Sequence, residues 1–200
     1  MTGYTGSPGG ELLYAFYGAS TNLATFTAED NLLKTYPLCQ IPGSVFGLPG
    51  NTGQRSSSLR IKAGGQMGFT TGAPTFLWSV RALTSGTWSA GTPLLGATAA
   101  TAVGGTAVVT TPWFLDVDIG LRTAAAAGAT TCTVVAMGEV RAPAALASPF
   151  TATIPSLAVS PAVTTWDINA TYYLFLSCAC GTSNSLNLIN TQYMKVYGES

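Results

Sequence analysis

The segment Trp113 to Arg122, WFLDVDIGLR, sets the tightest limit on what this chain can fold into. Trp113, Leu115, Val117, Ile119 and Leu121 take alternate positions, and Asp116, Asp118 and Arg122 stand between them. Successive side chains of a strand face opposite sides, so the spacing predicts a strand with an apolar inner face and a charged outer one. Thr131 to Arg141 reads as its return strand, with Cys132, Val134 and Ala136 opposite Thr133, Val135 and Met137. The small-residue run Thr123 to Thr130 is then a hairpin connection.

The same scheme organises Ser56 to Arg81, SSSLRIKAGGQMGFTTGAPTFLWSVR. Leu59 and Ile61 alternate with Arg60 and Lys62, which predicts a half-buried strand with a basic face. Thr70 to Pro74 carries turn chemistry. A second strand follows, with Phe76, Trp78 and Val80 sharing a face and Arg81 at its exit to solvent. The two strands are expected to pair as a hairpin. Gly64, Gly65 and Gly68 suggest a bulge or bend that lets one strand serve two sheets.

Elsewhere the signals are shorter. Leu12 to Tyr17 reads as a strand, as does a run through Leu33, Thr35 and Leu38 after a turn at Glu29–Asp30. Ile41-Pro42-Gly43 and Leu48-Pro49-Gly50 bracket Val45-Phe46 as a surface connection. Ala107 to Thr110 is a possible strand start. Tyr172 to Cys180 is a continuous apolar strand, Gly181 to Ser185 a tight turn, and Leu186 to Tyr197 the last strand. Pro143, Pro149, Pro155 and Pro161 rule out a central strand over residues 142–161. The expectation is an all-β, antiparallel, jelly-roll-like β-sandwich of about eight main strands. Met1 to Gly10 is its N-terminal arm and residues 11–200 a single domain.

Charge narrows the function. Only 8% of residues are charged, 8 basic and 8 acidic, with no histidine; a soluble domain averages roughly 25%. A freely diffusing protein with so little charge has a poor colloidal margin. Much of the surface is therefore expected to lie against other protein, in an oligomer or lattice. Zero net charge and no basic cluster denser than Arg55, Arg60 and Lys62 argue against nucleic acid. The uncharged blocks 82–115, 142–166 and 168–194 are interrupted well before the ~18 apolar residues a spanning helix needs, and the opening residues do not read as a signal peptide, so no membrane association is expected.

Candidate chemistry is sparse. Asp116 and Asp118, about 7 Å apart on one strand face, are the only pair suited to glycosidase or calcium chemistry. The preferred reading is a solvent face whose carboxylates meet Arg60, Lys62 or Arg141 across strands. Cys178 and Cys180 share a strand face with Leu174 and Leu176. With Cys39 and Cys132 as the remaining thiols and no histidine, core packing is preferred over zinc. Without histidine or G-x-S-x-G there is no nucleophile with its base. No catalytic, cofactor-binding or metal-binding residue is assigned, and no cofactor is expected. Trp88, Tyr14, Tyr17, Tyr36 and Phe46 are the aromatics available for a sugar-stacking surface.

The stretch IPGSVFGLPGN…GQRSSSLRIKAGGQMGFTTGAPTFLWSVR, followed by PWFLDVDIGLRT and TTCTVVAMGEVRA, resembles a class of tailed-bacteriophage virion proteins. The resemblance covers Ile41 to Arg141 and rests on the strand, Thr-Thr-Gly-x-Pro-Thr turn, strand unit and on the W-x-L-x-V-x-I-x-L-R-T strand. It implies a β-sandwich or jelly-roll protein that decorates or cements phage heads. By that likeness the chain would be a non-enzymatic virion component, made in the bacterial host cytoplasm, forming a homotrimer on the major capsid protein. The alternative is a tail- or fibre-associated module that binds a host glycan. Contacts are expected from Met1–Gly10, Gly86–Thr111 and Ala142–Pro161, the long segments lacking strand periodicity.

Overall fold

The computed structural model describes residues 11–34, 37–46, 58–70, 74–90, 94–103, 108–123, 129–145, 148–156 and 163–199. Fourteen strands run through them: β1 (Glu11–Tyr17), β2 (Leu23–Ala24), β3 (Asp30–Asn31), β4 (Cys39–Pro42), β5 (Ser58–Phe69), β6 (Thr75–Leu83), β7 (Leu94–Ala97), β8 (Thr101–Ala102), β9 (Val108–Thr123), β10 (Thr131–Ala145), β11 (Ser148–Ile154), β12 (Val163–Asp167), β13 (Thr171–Cys180) and β14 (Leu188–Glu199). One 3-10 turn, Gly43–Phe46, follows β4. The protein is an all-β antiparallel sandwich, as the alternating patterns require.

The larger sheet has the order β1-β14-β5-β9-β10-β11, with β2 beside β14 and β12 beside β10. The smaller has the order β3-β13-β6-β7, with β4 also on β13 and β8 also on β6. Every edge is divided between two short strands, which limits the unpaired backbone offered to another chain. Between the sheets lie Leu59, Ile61 and Met67 of β5, Trp113 to Ile119 at alternate positions of β9, and Phe76, Trp78 and Val80 of β6, all buried.

β5 and β6 do not form the expected hairpin. β5 pairs with β14 and β9 in the larger sheet, whereas β6 pairs with β13 and β7 in the smaller. The turn between them is a crossing from one sheet to the other, and β13 to β14 makes the matching crossing beside it. Those paired crossings are what is jelly-roll-like in the topology. β5 itself serves only one sheet.

The glycines of β5 do mark irregular pairing. Register shifts between Thr191 and Tyr193 of β14, opposite Gly65 and Gly64. A Cβ on Gly65 would lie 2.0 Å from the Asn190 carbonyl oxygen, so only glycine lets β14 come this close. The extra residue, Gln192, flips the alternation. Ile189 and Thr191 face the core before it, Met194 and Val196 after it.

Other expectations need correction. Asp30–Asn31 is a two-residue bridge followed by a turn, not a strand reaching Leu38; Thr35 and Tyr36 lie outside the described residues. Val45 and Phe46 are core rather than surface, with Phe46 edge-on to Trp166 at 5.2 Å. The proline-rich segment and the one before β9 contain strands: β10 continues to Ala145, β11 is an edge strand that tolerates proline, and the short β7 and β8 close the smaller sheet. The arm Met1–Gly10 lies outside the described residues.

Candidate interaction face

The outward residues of the four central strands of the larger sheet lie in register. One row runs Tyr193, Gly64, Phe114, Arg141. The next runs Lys195, Lys62, Asp116, Glu139, and the third Tyr197, Arg60, Asp118, Met137. Glu199 lies at the far end of β14, opposite Ser58. This one face thus holds Arg60, Lys62, Arg141, Lys195, Asp116, Asp118, Glu139 and Glu199, from a chain with 8 basic and 8 acidic residues in all. It also exposes large apolar groups: Phe114 is 50% and Met137 55% accessible.

Asp116 and Asp118 stand here as charged neighbours of Arg60. The Arg60 guanidinium donates to both Asp116 oxygens, at 2.9 and 2.8 Å, and lies 3.8 Å from Asp118 and from Glu199. Lys62 is 3.9 Å from Asp116, and Arg141 pairs with Glu139. The Arg60 hydrogen bonds hold the Asp116 carboxyl below its ordinary range. Asp118 moves the other way: partial burial raises it, Arg60 opposes, and Glu199 and Asp116 add to the rise. These are the cross-strand pairs expected of a solvent face.

The Tyr193 ring lies across Gly64, whose Cβ would be 2.8 Å from the ring edge. Tyr17 lies on β1 opposite Tyr193, with the Lys195 ammonium 5.2 Å from its ring centre. Of the other aromatics singled out, Phe46 is in the core and Tyr14 donates its hydroxyl to the Pro37 carbonyl at 2.9 Å. Trp88 is half-buried against Phe175, ring centres 5.5 Å apart. They do not assemble into one stacking surface. Phe114, Met137, Tyr193 and Tyr197 do share a face, and their meeting is not legible in the sequence because it depends on register across four strands.

The outer face of the smaller sheet is covered instead. Arg81, expected at an exit to solvent, is only 7% exposed. Its guanidinium donates to both oxygens of Glu29, at 2.7 and 2.5 Å, and Ser177 donates to the same carboxylate at 2.5 Å. Trp88 caps the pair, 6.0 Å from the guanidinium. Burial alone would raise the Glu29 carboxyl, but the hydrogen bonds from Arg81 and Ser177 outweigh it and hold it low.

Cys178 and Cys180 face the core with Leu174 and Leu176, and Cys39 and Cys132 are buried and free as well. Burial pushes the Cys39 thiol up to about 12 and Cys178 well above its ordinary value. Native protein should therefore leave all four thiols unmodified over a time in which denatured protein reacts completely with a thiol reagent. Fast labelling of Cys178 in the folded state would contradict this placement. Among the described residues no group of three or more His, Cys, Asp or Glu is placed to hold a metal ion, and no helix is long and apolar enough to cross a membrane. Compared with protein-family models, curated proteins and solved structures, the chain matches none.

Proposed function

We propose that this chain is a non-enzymatic structural protein of a phage particle, which acts by packing against copies of itself and against the capsid. The observation that supports this reading is where the charge sits. Eight of the sixteen charged residues occupy one sheet face, and the buried Arg81 is paired with the half-buried Glu29. The rest of the chain is dominated by Thr, Ser, Ala and Gly with few charges. Such surface loses little on being covered by protein, because few ions need desolvation, and protein interface cores are likewise depleted in charge. The head as the place of assembly comes from the resemblance of Ile41 to Arg141 to phage virion proteins.

A second reading has one observation in its favour. Tyr17 and Phe114 are exposed on the face that carries Asp118, and aromatic faces beside carboxylates suit sugar rings, as in a glycan-binding tail protein. The same experiment separates the two. Virions of the encoding phage, banded by density, should contain the chain in stoichiometric amount by mass spectrometry, with antibody label on the head. Label confined to the tail tip favours glycan binding. Absence from the particle overturns both.

A further inference from the structure

We infer that the outer face of the larger sheet docks a second copy of this chain, the two stacking face to face about a two-fold axis that runs along the strands between β5 and β9. The inference rests on the assembly reading above and adds to its weakly charged surfaces a second contact, held by charge pairing. That axis halves the six-strand order, with β1, β14 and β5 on one side and β9, β10 and β11 on the other. Rotation about it sets β5 against β9 of the second copy and β14 against β10. It keeps the strands of the two sheets nearly aligned, as face-to-face packing requires.

The registers then decide what meets what. In the central row Lys62 faces Asp116 and Lys195 faces Glu139. In the next Arg60 faces Asp118, and Tyr197 faces Met137. In the third Arg141 faces the Tyr193 ring, a cation on an aromatic face, and Phe114 meets the same ring where it lies across Gly64. No like charges meet in any row. An axis running across the strands would do the opposite, setting Arg60 and Lys62 against their own copies and Asp116 and Asp118 against theirs. The charge pattern therefore selects one axis and one register.

Three further facts agree. Phe114 and Met137, half exposed in the single copy, become covered. Asp118, whose carboxyl is raised by partial burial and by its acidic neighbours, gains a second guanidinium. Six strands span about 24 Å and the rows from Tyr193 to Glu199 about 20 Å, a patch of about 480 Å² in projection, at the small end of specific interfaces.

Lys195 and Glu139 give the test, because within one copy they are three strands apart, about 14 Å. Lys195→Glu and Glu139→Lys should each keep the wild-type circular dichroism. Each should also halve the mass measured by light scattering, weakening self-association at least about tenfold through like charges at both symmetric contacts. An equal mixture of the two variants should recover the full mass, since every contact then joins opposite charges. The double variant K195E/E139K should recover it too. Wild-type mass in both single variants, or no recovery on mixing, overturns this face while leaving assembly through other surfaces standing. A wild-type monomer at high micromolar concentration overturns both.

Discussion

Replacing Glu29 with alanine should cost the fold about 3–5 kcal/mol, the usual penalty for removing one partner of a buried ion pair. The guanidinium of Arg81 would stay on the outer face of the smaller sheet, held beneath Trp88 and beside Phe175 with no carboxylate to neutralise it. In thermal unfolding this corresponds to a fall of about 10 °C for a domain of this size. The double variant E29A/R81L should recover most of the loss, because it removes both charges and leaves only Ser177 to find another acceptor. A loss below about 1 kcal/mol in E29A would mean that the pair is solvated. Acid has a related effect with a definite sign. The Glu29 carboxyl is held low in the folded state, so its contribution is complete above the unfolded value, roughly 4.3, and is lost as pH falls through the lower folded value. Wild type should therefore lose stability faster than E29Q on acidification below about pH 4.

Arg81 also shows where the sequence stops being informative. A cation at the end of an apolar run reads as an exit to solvent. Its partner comes from 52 residues earlier, in a segment with no period to announce it. The long strands were legible because β5, β9 and β10 each bury alternate residues for many positions, so that burial repeats the pattern residue by residue. β2, β3, β7, β8 and β12 were not, since two to five residues cannot display a period of two against background. A turn such as Thr70 to Pro74 reads alike whether it closes a hairpin or carries the chain to the opposite sheet. What decides is that β14 and β13 occupy the neighbouring positions, and they lie about a hundred residues further on.

The outer face follows the same logic. Asp116, Asp118, Arg60 and Lys62 were readable one strand at a time as a wet, charged side. That Arg60, Lys62 and Lys195 gather on β5 and β14, and Asp116, Asp118 and Glu139 on β9 and β10, with Arg141 and Glu199 the exceptions, depends on a strand order no local pattern records. Phe114 looks like an apolar residue out of phase in its own strand, and Met137, though readable as outward-facing, shows no partner there. Only the register, which places Phe114 opposite Gly64 and Arg141 and Met137 opposite Asp118, puts them on one face.

Trp166→Ala should be the most damaging single change in the core, costing about 3–5 kcal/mol. Trp166 belongs to β12, a five-residue edge strand of the larger sheet, yet its contacts reach the smaller one. Its ring stacks on Tyr172 of β13 with centres 3.7 Å apart, and Phe46 of the 3-10 turn meets it edge-on. Its indole N–H donates to the Gly43 carbonyl at 3.0 Å, while the Gly43 N–H donates to Ala170 at 2.7 Å. The tryptophan thus ties β12, the β12–β13 turn and the end of β4 into one unit across the two sheets. Trp166→Phe keeps most of the volume and loses the indole bond, so it should cost about 1–3 kcal/mol, chiefly from leaving the buried Gly43 carbonyl without its donor. The gap between the two variants then measures the cavity. Urea unfolding followed by circular dichroism should show the midpoint falling in that order at unchanged slope, the sign of lost stability in an unaltered native fold. Equal losses in the two variants would mean that the hydrogen bond, and not the packing of the ring, holds the two sheets together at this end.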